Sequence, residues 1–199
     1  MNELITSTNE QNTSNLVVCN NAPEVSRLIS EIRLDRKGGQ PLRDRLYHLG
    51  QIMGNCWQNY NPLMDNGIIV GIPRSGIPMS KGLSSLLPSY PYYLVNNVNG
   101  WESNEEPDCI LIVDSVIVTG ETMSEAVKKL ANGQKKSDLF IFSAVASESG
   151  IRRLLWFYPN LKIYVGERAE IIYRFDHYRR RQVATLEGFG NIGSLISKD

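Results

Sequence analysis

Cysteine is scarce in this 199-residue chain: there are three, Cys19, Cys56 and Cys109, odd in number and widely spaced. None forms a Cys-x-x-Cys pair or stands at ligand spacing from a histidine, which argues against a disulfide framework or a zinc site and for reduced thiols in a cytoplasmic setting. Charge bias is missing too, with 21 Lys plus Arg against 21 Asp plus Glu. No global field therefore recruits nucleic acid, a membrane surface or an acidic polymer, and neither nucleic acid nor membrane is expected as a partner. No apolar run approaches the roughly 20 residues that span a bilayer. The polar start, MNELITSTNEQNTSN, has no basic-then-apolar leader pattern. Any charge that matters is local.

What is present has the organisation of one domain with a polar leading tail, residues 1–15, rich in Asn, Ser and Thr. Val25, Leu28, Ile29 and Ile32 recur at helical spacing and predict a first helix over 24–36. Pro41 opens a second, with Leu42, Leu46, Leu49 and Met53 on one face. Both helices are expected to precede any strand. Then strands and helices alternate: IIVGIP (68–73), the helix MSKGLSSLL, YPYYLVNN (90–97), CILIVD (109–114), the helix SEAVKKLANG, DLFIFSAVAS (138–147), the helix GIRRLLWFYP and LKIYVG (161–166). Such alternation predicts an α/β fold, a mainly parallel central sheet with helices on both faces.

Ligands in such sheets bind beyond the carboxyl ends of the strands. Two loops there carry suggestive chemistry, Arg74-Ser75-Gly76 and the stretch from Asp114 to Thr122. A phosphate monoester needs several backbone N–H groups converging on one point, helped by a helix N-terminus and hydroxyls. Thr119-Gly120-Glu121-Thr122, just before a helix, supplies those parts, and Asp114 at the strand end is placed to accept from the vicinal hydroxyls of a sugar. By spacing alone the same residues also fit a plain turn, with Thr122 or Ser124 capping the helix. The segment EGFGNIGS (187–194), with three glycines in six residues, can fold back over the same edge.

The stretch ILIVDSVIVTGET resembles the phosphoribosyl diphosphate signature of type I phosphoribosyltransferases. Most of those proteins carry two adjacent acidic residues where this chain has Asp114 and Ser115; the uracil phosphoribosyltransferase branch also lacks the second. IIVGIPRSGIPMSKGLSSLLP is similar to that branch's arginine loop, SAVASESGIRRLLWFYPNLKIYVG to a later strand–helix–strand segment, RLISEIRLDRKGGQPLRDRLYHLGQIMG to its N-terminal helices, and EGFGNIGS to its C-terminal base loop. The resemblance, over most of residues 24–194, implies a type I phosphoribosyltransferase-like fold with N-terminal helices and a C-terminal glycine-rich loop. It implies transfer of phosphoribose to uracil or a related small heterocyclic base, with Mg²⁺ carried by the diphosphate and no metal site built from protein side chains. It also implies a homodimer.

The residues so implied are Arg74 and Asp114 as the catalytic pair. The phosphoribosyl diphosphate site would comprise Arg74, Ser75, Gly76, Asp114, Ser115, Val116, Ile117, Val118, Thr119, Gly120, Glu121, Thr122 and Asn191. The base site would comprise Thr185, Phe189, Gly190, Asn191 and Ile192.

The chain departs from the family in informative places. NNVNGWESNEEPD replaces a longer closing segment and contains no arginine. Glu187, Asn191 and Ser194 stand where the base loop carries Pro, Asp and Asp, and Thr185 where it has an apolar residue. A catalyst with altered base choice is one reading; a non-catalytic binder that senses phosphoribosyl diphosphate or a nucleotide is the other. Arg179-Arg180-Arg181, His48 and His177 read as solvated or structural, and Trp57, Trp101 and Trp156 as core or interface.

Overall fold

The computed structural model describes residues 15–19, 23–96, 107–131, 137–176, 181–187, 189 and 192–197. In chain order the elements are β1 Leu16–Val18, α1 Pro23–Leu34, α2 Gly39–Tyr60, β2 Gly67–Gly71, α3 Gly76–Leu86, β3 Tyr92–Leu94, β4 Cys109–Ile117 and α4 Glu121–Ala131. They continue as β5 Asp138–Ser147, α5 Glu148–Phe157, β6 Lys162–Ala169, β7 Ile171–Asp176, β8 Arg181–Leu186 and α6 Ile192–Ile196. Six strands form one sheet in the order β1-β6-β5-β4-β2-β3, every neighbouring pair parallel; β7 and β8 form a separate antiparallel hairpin.

The central strands read as unbroken apolar runs because both faces of the sheet are covered. Side chains alternate: Ile69, Leu111, Val113, Phe140 and Phe142 point to one layer, where Leu28, Leu46, Met53, Trp57 and Met79 of α1, α2 and α3 pack on them. Ile68, Val70, Ile110, Ile112 and Ile141 point to the other, against Val127 and Leu130 of α4 and Leu154 of α5. Helices on opposite faces thus follow directly from period-2 burial in the strands.

Four features differ from the sequence reading. A strand precedes the helices after all: β1 pairs Leu16–Val18 with Ile163–Val165 of β6. Three residues are too few for periodicity to reveal, and only the partner strand makes them a strand. The YPYYLVNN strand shrinks to Tyr92–Leu94 on the sheet edge, while Tyr90 turns inward, 4% exposed, and donates its hydroxyl to Met64 O at 2.5 Å. Strand β4 runs three residues past Asp114, because β5 offers Val145 and Ala146 as partners for Val116 and Ile117. The β7–β8 hairpin had no sequence assignment.

The strand order also fixes where the site must be. From β2 the chain crosses through α3 to β3 on one side; from β4 it crosses through α4 to β5 on the other. Between β2 and β4, neighbours in the sheet, the connections diverge to opposite faces. Their carboxyl ends flank a crevice at the topological switch point.

Candidate active site at the β2–β4 switch point

Both suggestive loops open on that crevice. After β2, Ile72 N–H donates to Val113 O at 2.9 Å, and the chain turns through Pro73, Arg74 and Ser75 into α3, with a cis Pro73–Arg74 peptide. Gly76 lies so close to β4 that a Cβ there would sit 2.4 Å from Val113 O and 3.1 Å from the Asp114 Cα. Glycine is therefore required to bring the arginine loop against Asp114.

The junction is a hydrogen bond. Ser75 Oγ donates to Asp114 Oδ1 at 2.9 Å, and the Ser115 N–H donates to the same oxygen at 2.7 Å. Burial pushes the Asp114 carboxyl up to about 6, partly offset by donation from Ser75, Ser115 and the Val116 N–H. Arg74, from the same loop as Ser75, is exposed and has no ion-pair partner among the described residues. A half-buried carboxylate and an exposed guanidinium thus stand on two loops joined by one hydrogen bond.

Past Ile117 the chain turns at Val118, Thr119 and Gly120 into α4. Gly120 has φ +72°, and a Cβ there would meet Gly150 O at 2.8 Å. The first turn of α4 closes with Ser124 N–H on Gly120 O at 2.9 Å. Ser124 Oγ is buried without a partner, and neither Thr119 nor Thr122, both exposed, hydrogen-bonds elsewhere among the described residues. The helix-cap reading of Thr122 or Ser124 therefore loses its contacts, while the two threonine hydroxyls remain open at a helix N-terminus.

Sequence reasoning missed the brace behind this loop. Ser147, the N-cap of α5, accepts from the Gly150 N–H at 2.8 Å and donates to Val118 O. The signal was available as Ser-Glu-Ser-Gly at a helix start. It held no hint that its target lay 29 positions away.

Several expected residues sit elsewhere. Val116 and Ile117 belong to β4, Ile117 being 2% exposed in the core, so their backbone serves the ladder with β5. Ser115 is fully buried, its Oγ without a partner. Phe189 is 2% exposed and Ile192 4%, both in the α1–α2–α3 core layer, so their side chains anchor the C-terminal segment from beneath. The Arg33 guanidinium lies 5.1 Å from the Phe189 ring centroid and bonds Glu167 Oε1 at 2.5 Å, which ties the segment to α1 and β6. Thr185 sits on β8 opposite Ile172, 9% exposed. Val116 and Val118 pack on the same apolar cluster as Leu186 and Phe189, so the C-terminal segment and the loop after β4 share one foundation. Gly190 and Asn191 lie outside the described residues, as do Trp101, His177, Arg179, Arg180 and most of the expected tail. Trp57 is core, Trp156 is 84% exposed, and His48 faces Glu24 at 3.3 Å.

The family profile described as uracil phosphoribosyltransferase matches residues 4–193. The chain belongs to the uracil phosphoribosyltransferase family. Its curated relatives are distant. The uracil phosphoribosyltransferase of Sulfolobus acidocaldarius is 28% identical over 51% of this chain and 56% of its own length, so that match spans little more than half of the relative. The Pyrobaculum islandicum enzyme of the same name is 24% identical over 69% of this chain and 81% of its own. The AQ2163 protein of Aquifex aeolicus shares the fold with a TM-score of 0.71, at 18% identity over 92% of this chain and 97% of that one. The orotate phosphoribosyltransferase of Mycobacterium tuberculosis, solved with 5-phospho-alpha-D-ribosyl 1-diphosphate, shares it with a TM-score of 0.52, at 15% identity over 76% and 95%. The fold is thus type I phosphoribosyltransferase-like, as the signature implied.

Proposed function

We propose that this family member transfers phosphoribose from phosphoribosyl diphosphate to a ring nitrogen of uracil, releasing pyrophosphate. The observation that carries the reading is the Ser75–Asp114 hydrogen bond, which seats the arginine loop on the acidic strand end at the switch point, beside an open Thr-Gly-Glu-Thr turn. In that reading the Asp114 carboxylate accepts from the ribose hydroxyls. The N–H groups from Thr119 to Thr122 and the hydroxyls of Thr119 and Thr122 hold the 5-phosphate. Arg74 and the N–H groups of Ser75 and Gly76 stabilise negative charge as it builds on the departing diphosphate.

The anomeric C–O bond breaks with its electron pair going to pyrophosphate, while the new C–N bond forms and the nitrogen loses its proton. No side chain acts as nucleophile; orientation and charge stabilisation suffice. Among the described residues no group of three or more His, Cys, Asp or Glu could hold a metal. The hard oxygen donors on hand, the Asp114 carboxylate and the hydroxyls of Ser75, Thr119 and Thr122, fit Mg²⁺ brought on the diphosphate, where it supplies neutralising charge. The base would be read by the C-terminal loop, seated on Phe189 and Ile192.

The same reading makes the protein a cytoplasmic homodimer. Supporting it are exposed apolar side chains on α5, Trp156 at 84% and Phe157 at 60%, and no helix long and apolar enough to cross a membrane among the described residues. The test is pyrophosphate release from phosphoribosyl diphosphate and Mg²⁺ against a panel of bases. Release with uracil is expected; tight binding of the diphosphate with no release for any base would leave a binder instead.

A further inference from the structure

Two of the three cysteines, dispersed in sequence, meet in space. Cys19 closes β1, its N–H donating to Val165 O at 2.7 Å, and Cys56 lies on α2, 37 positions on. Their Sγ atoms are 2.8 Å apart, with Cys19 donating. The two sulfurs are not equally accessible. Cys19 is 5% exposed and Cys56 is half-buried, and both line a cavity of about 330 Å³ with Val18, Ile52, Asn55 and Tyr60. Donation from Cys19 favours the Cys56 thiolate, and the same contact with burial pushes the Cys19 thiol up. Cys109 is the internal contrast, fully buried beside the Tyr90 hydroxyl at 3.8 Å, its thiol pushed up to about 11 by burial.

We propose that Cys19 and Cys56 are a site of reversible oxidative modification, closing to an intramolecular disulfide with a peroxide or a small-molecule disulfide as oxidant. Neither residue belongs to the phosphoribosyl site, so the inference stands apart from the transferase reading. With hydrogen peroxide, the Cys56 thiolate attacks one oxygen and breaks the O–O bond, giving a sulfenic acid and hydroxide. The Cys19 sulfur then attacks the Cys56 sulfur, the S–O bond breaks, and water leaves with the Cys19 proton. Two thiols and one peroxide become one disulfide and two waters. With a small-molecule disulfide, the Cys56 thiolate forms the mixed disulfide and Cys19 displaces the second thiol, so two small thiols are released. The cavity that both cysteines line admits the oxidant, and Cys19, the less exposed of the two, serves as resolving thiol. The product would staple an edge strand held by three ladder pairs to the long helix α2.

The experiment treats the reduced, full-length protein with stoichiometric hydrogen peroxide, or with diamide, and reads intact mass, free thiols and a non-reducing peptide map. The expected result is the loss of two hydrogens, a fall from three free thiols to one, and a peptide pair joined through Cys19 and Cys56, all reversed by dithiothreitol. The joined form should unfold about 5 °C higher than the reduced one. Cys19→Ser or Cys56→Ser should abolish the loss, and Cys109→Ser should retain it. Retention of all three thiols, oxygen addition at Cys56 without a joined peptide, or a link through Cys109 would overturn the proposal. The wild-type map decides by itself, so a variant that fails to fold does not obscure the answer.

Discussion

The switch-point site and the C-terminal segment are built by opposite means. At the switch point, the proposed function rests on backbone and strand ends: a glycine at φ +72°, a glycine pressed on Val113 O, exposed threonine hydroxyls and one half-buried carboxylate. In the C-terminal segment four apolar side chains, Leu186, Phe189, Ile192 and Ile196, are buried in the core, and the Arg43 guanidinium holds Ile196 O at 2.7 Å. One region presents its chemistry on a rigid edge. The other is clamped from below by its apolar side chains, and the proposed function assigns it the base. Substitutions should therefore separate: ligand affinity without loss of stability in the first, stability and base affinity together in the second.

The largest effect is expected from Phe189→Ala. Removing a buried aromatic side chain costs about 3–5 kcal/mol, read as a lower midpoint of chemical or thermal unfolding. In the folded fraction the KM for uracil should rise while that for phosphoribosyl diphosphate stays within about twofold, since only the base loop loses its anchor. Equal changes in both constants would erase the contrast.

Asp114→Asn comes next, with a fall in kcat/KM for phosphoribosyl diphosphate of about 100-fold, or ~2.7 kcal/mol. Stability should move the other way. The folded carboxyl is pushed up from 3.8 to about 6, so the folded state binds its proton more tightly than the unfolded chain does. This group's contribution is most favourable below the unfolded value and declines as pH rises from about 4 to 6. At pH 7 the buried charge costs on the order of 3 kcal/mol, and the neutral amide should unfold no earlier than wild type. A variant that loses stability at pH 7 would mean Asp114 is structural.

Arg74→Ala should weaken phosphoribosyl diphosphate by about 10- to 30-fold, the worth of one charge-assisted contact, with unfolding unchanged because Arg74 is exposed. Isothermal titration with the diphosphate and Mg²⁺ reads this directly. The smallest effect is the acid limb of the wild-type profile: kcat/KM for phosphoribosyl diphosphate should fall about tenfold per pH unit below about 6, as Asp114 takes up its proton. The limb should vanish in Asp114→Asn.

This division of construction also explains what could be read from sequence. DLFIFSAVAS was bounded to the residue, because a strand covered on both faces is apolar throughout and needs no partner to be recognised. The helices over 23–34 and 39–60 showed their faces by period. The two loops of the candidate site were legible because each is a short contiguous stretch that follows a strand, and the Ser75–Asp114 hydrogen bond brings them together. The burial of Phe189, expected at the base site, was not legible, because Arg33 over its ring and Glu167, to which Arg33 bonds across 134 positions, come from distant elements. The reach of Ser147 to Val118, β1 and the Cys19–Cys56 contact were invisible for the same reason. Each is made by a neighbour in space whose sequence separation leaves no periodic trace.

Whether the two loops joined by Ser75 and Asp114 form a working phosphoribosyl site is decided by one paired measurement. Pyrophosphate and uridine monophosphate are followed together with phosphoribosyl diphosphate, Mg²⁺ and uracil, for wild type and Asp114→Asn. The account predicts equimolar formation of the two products by wild type and about a hundredfold less of both by the variant. Equal rates in the two proteins, or no product from either despite correct folding, would contradict it.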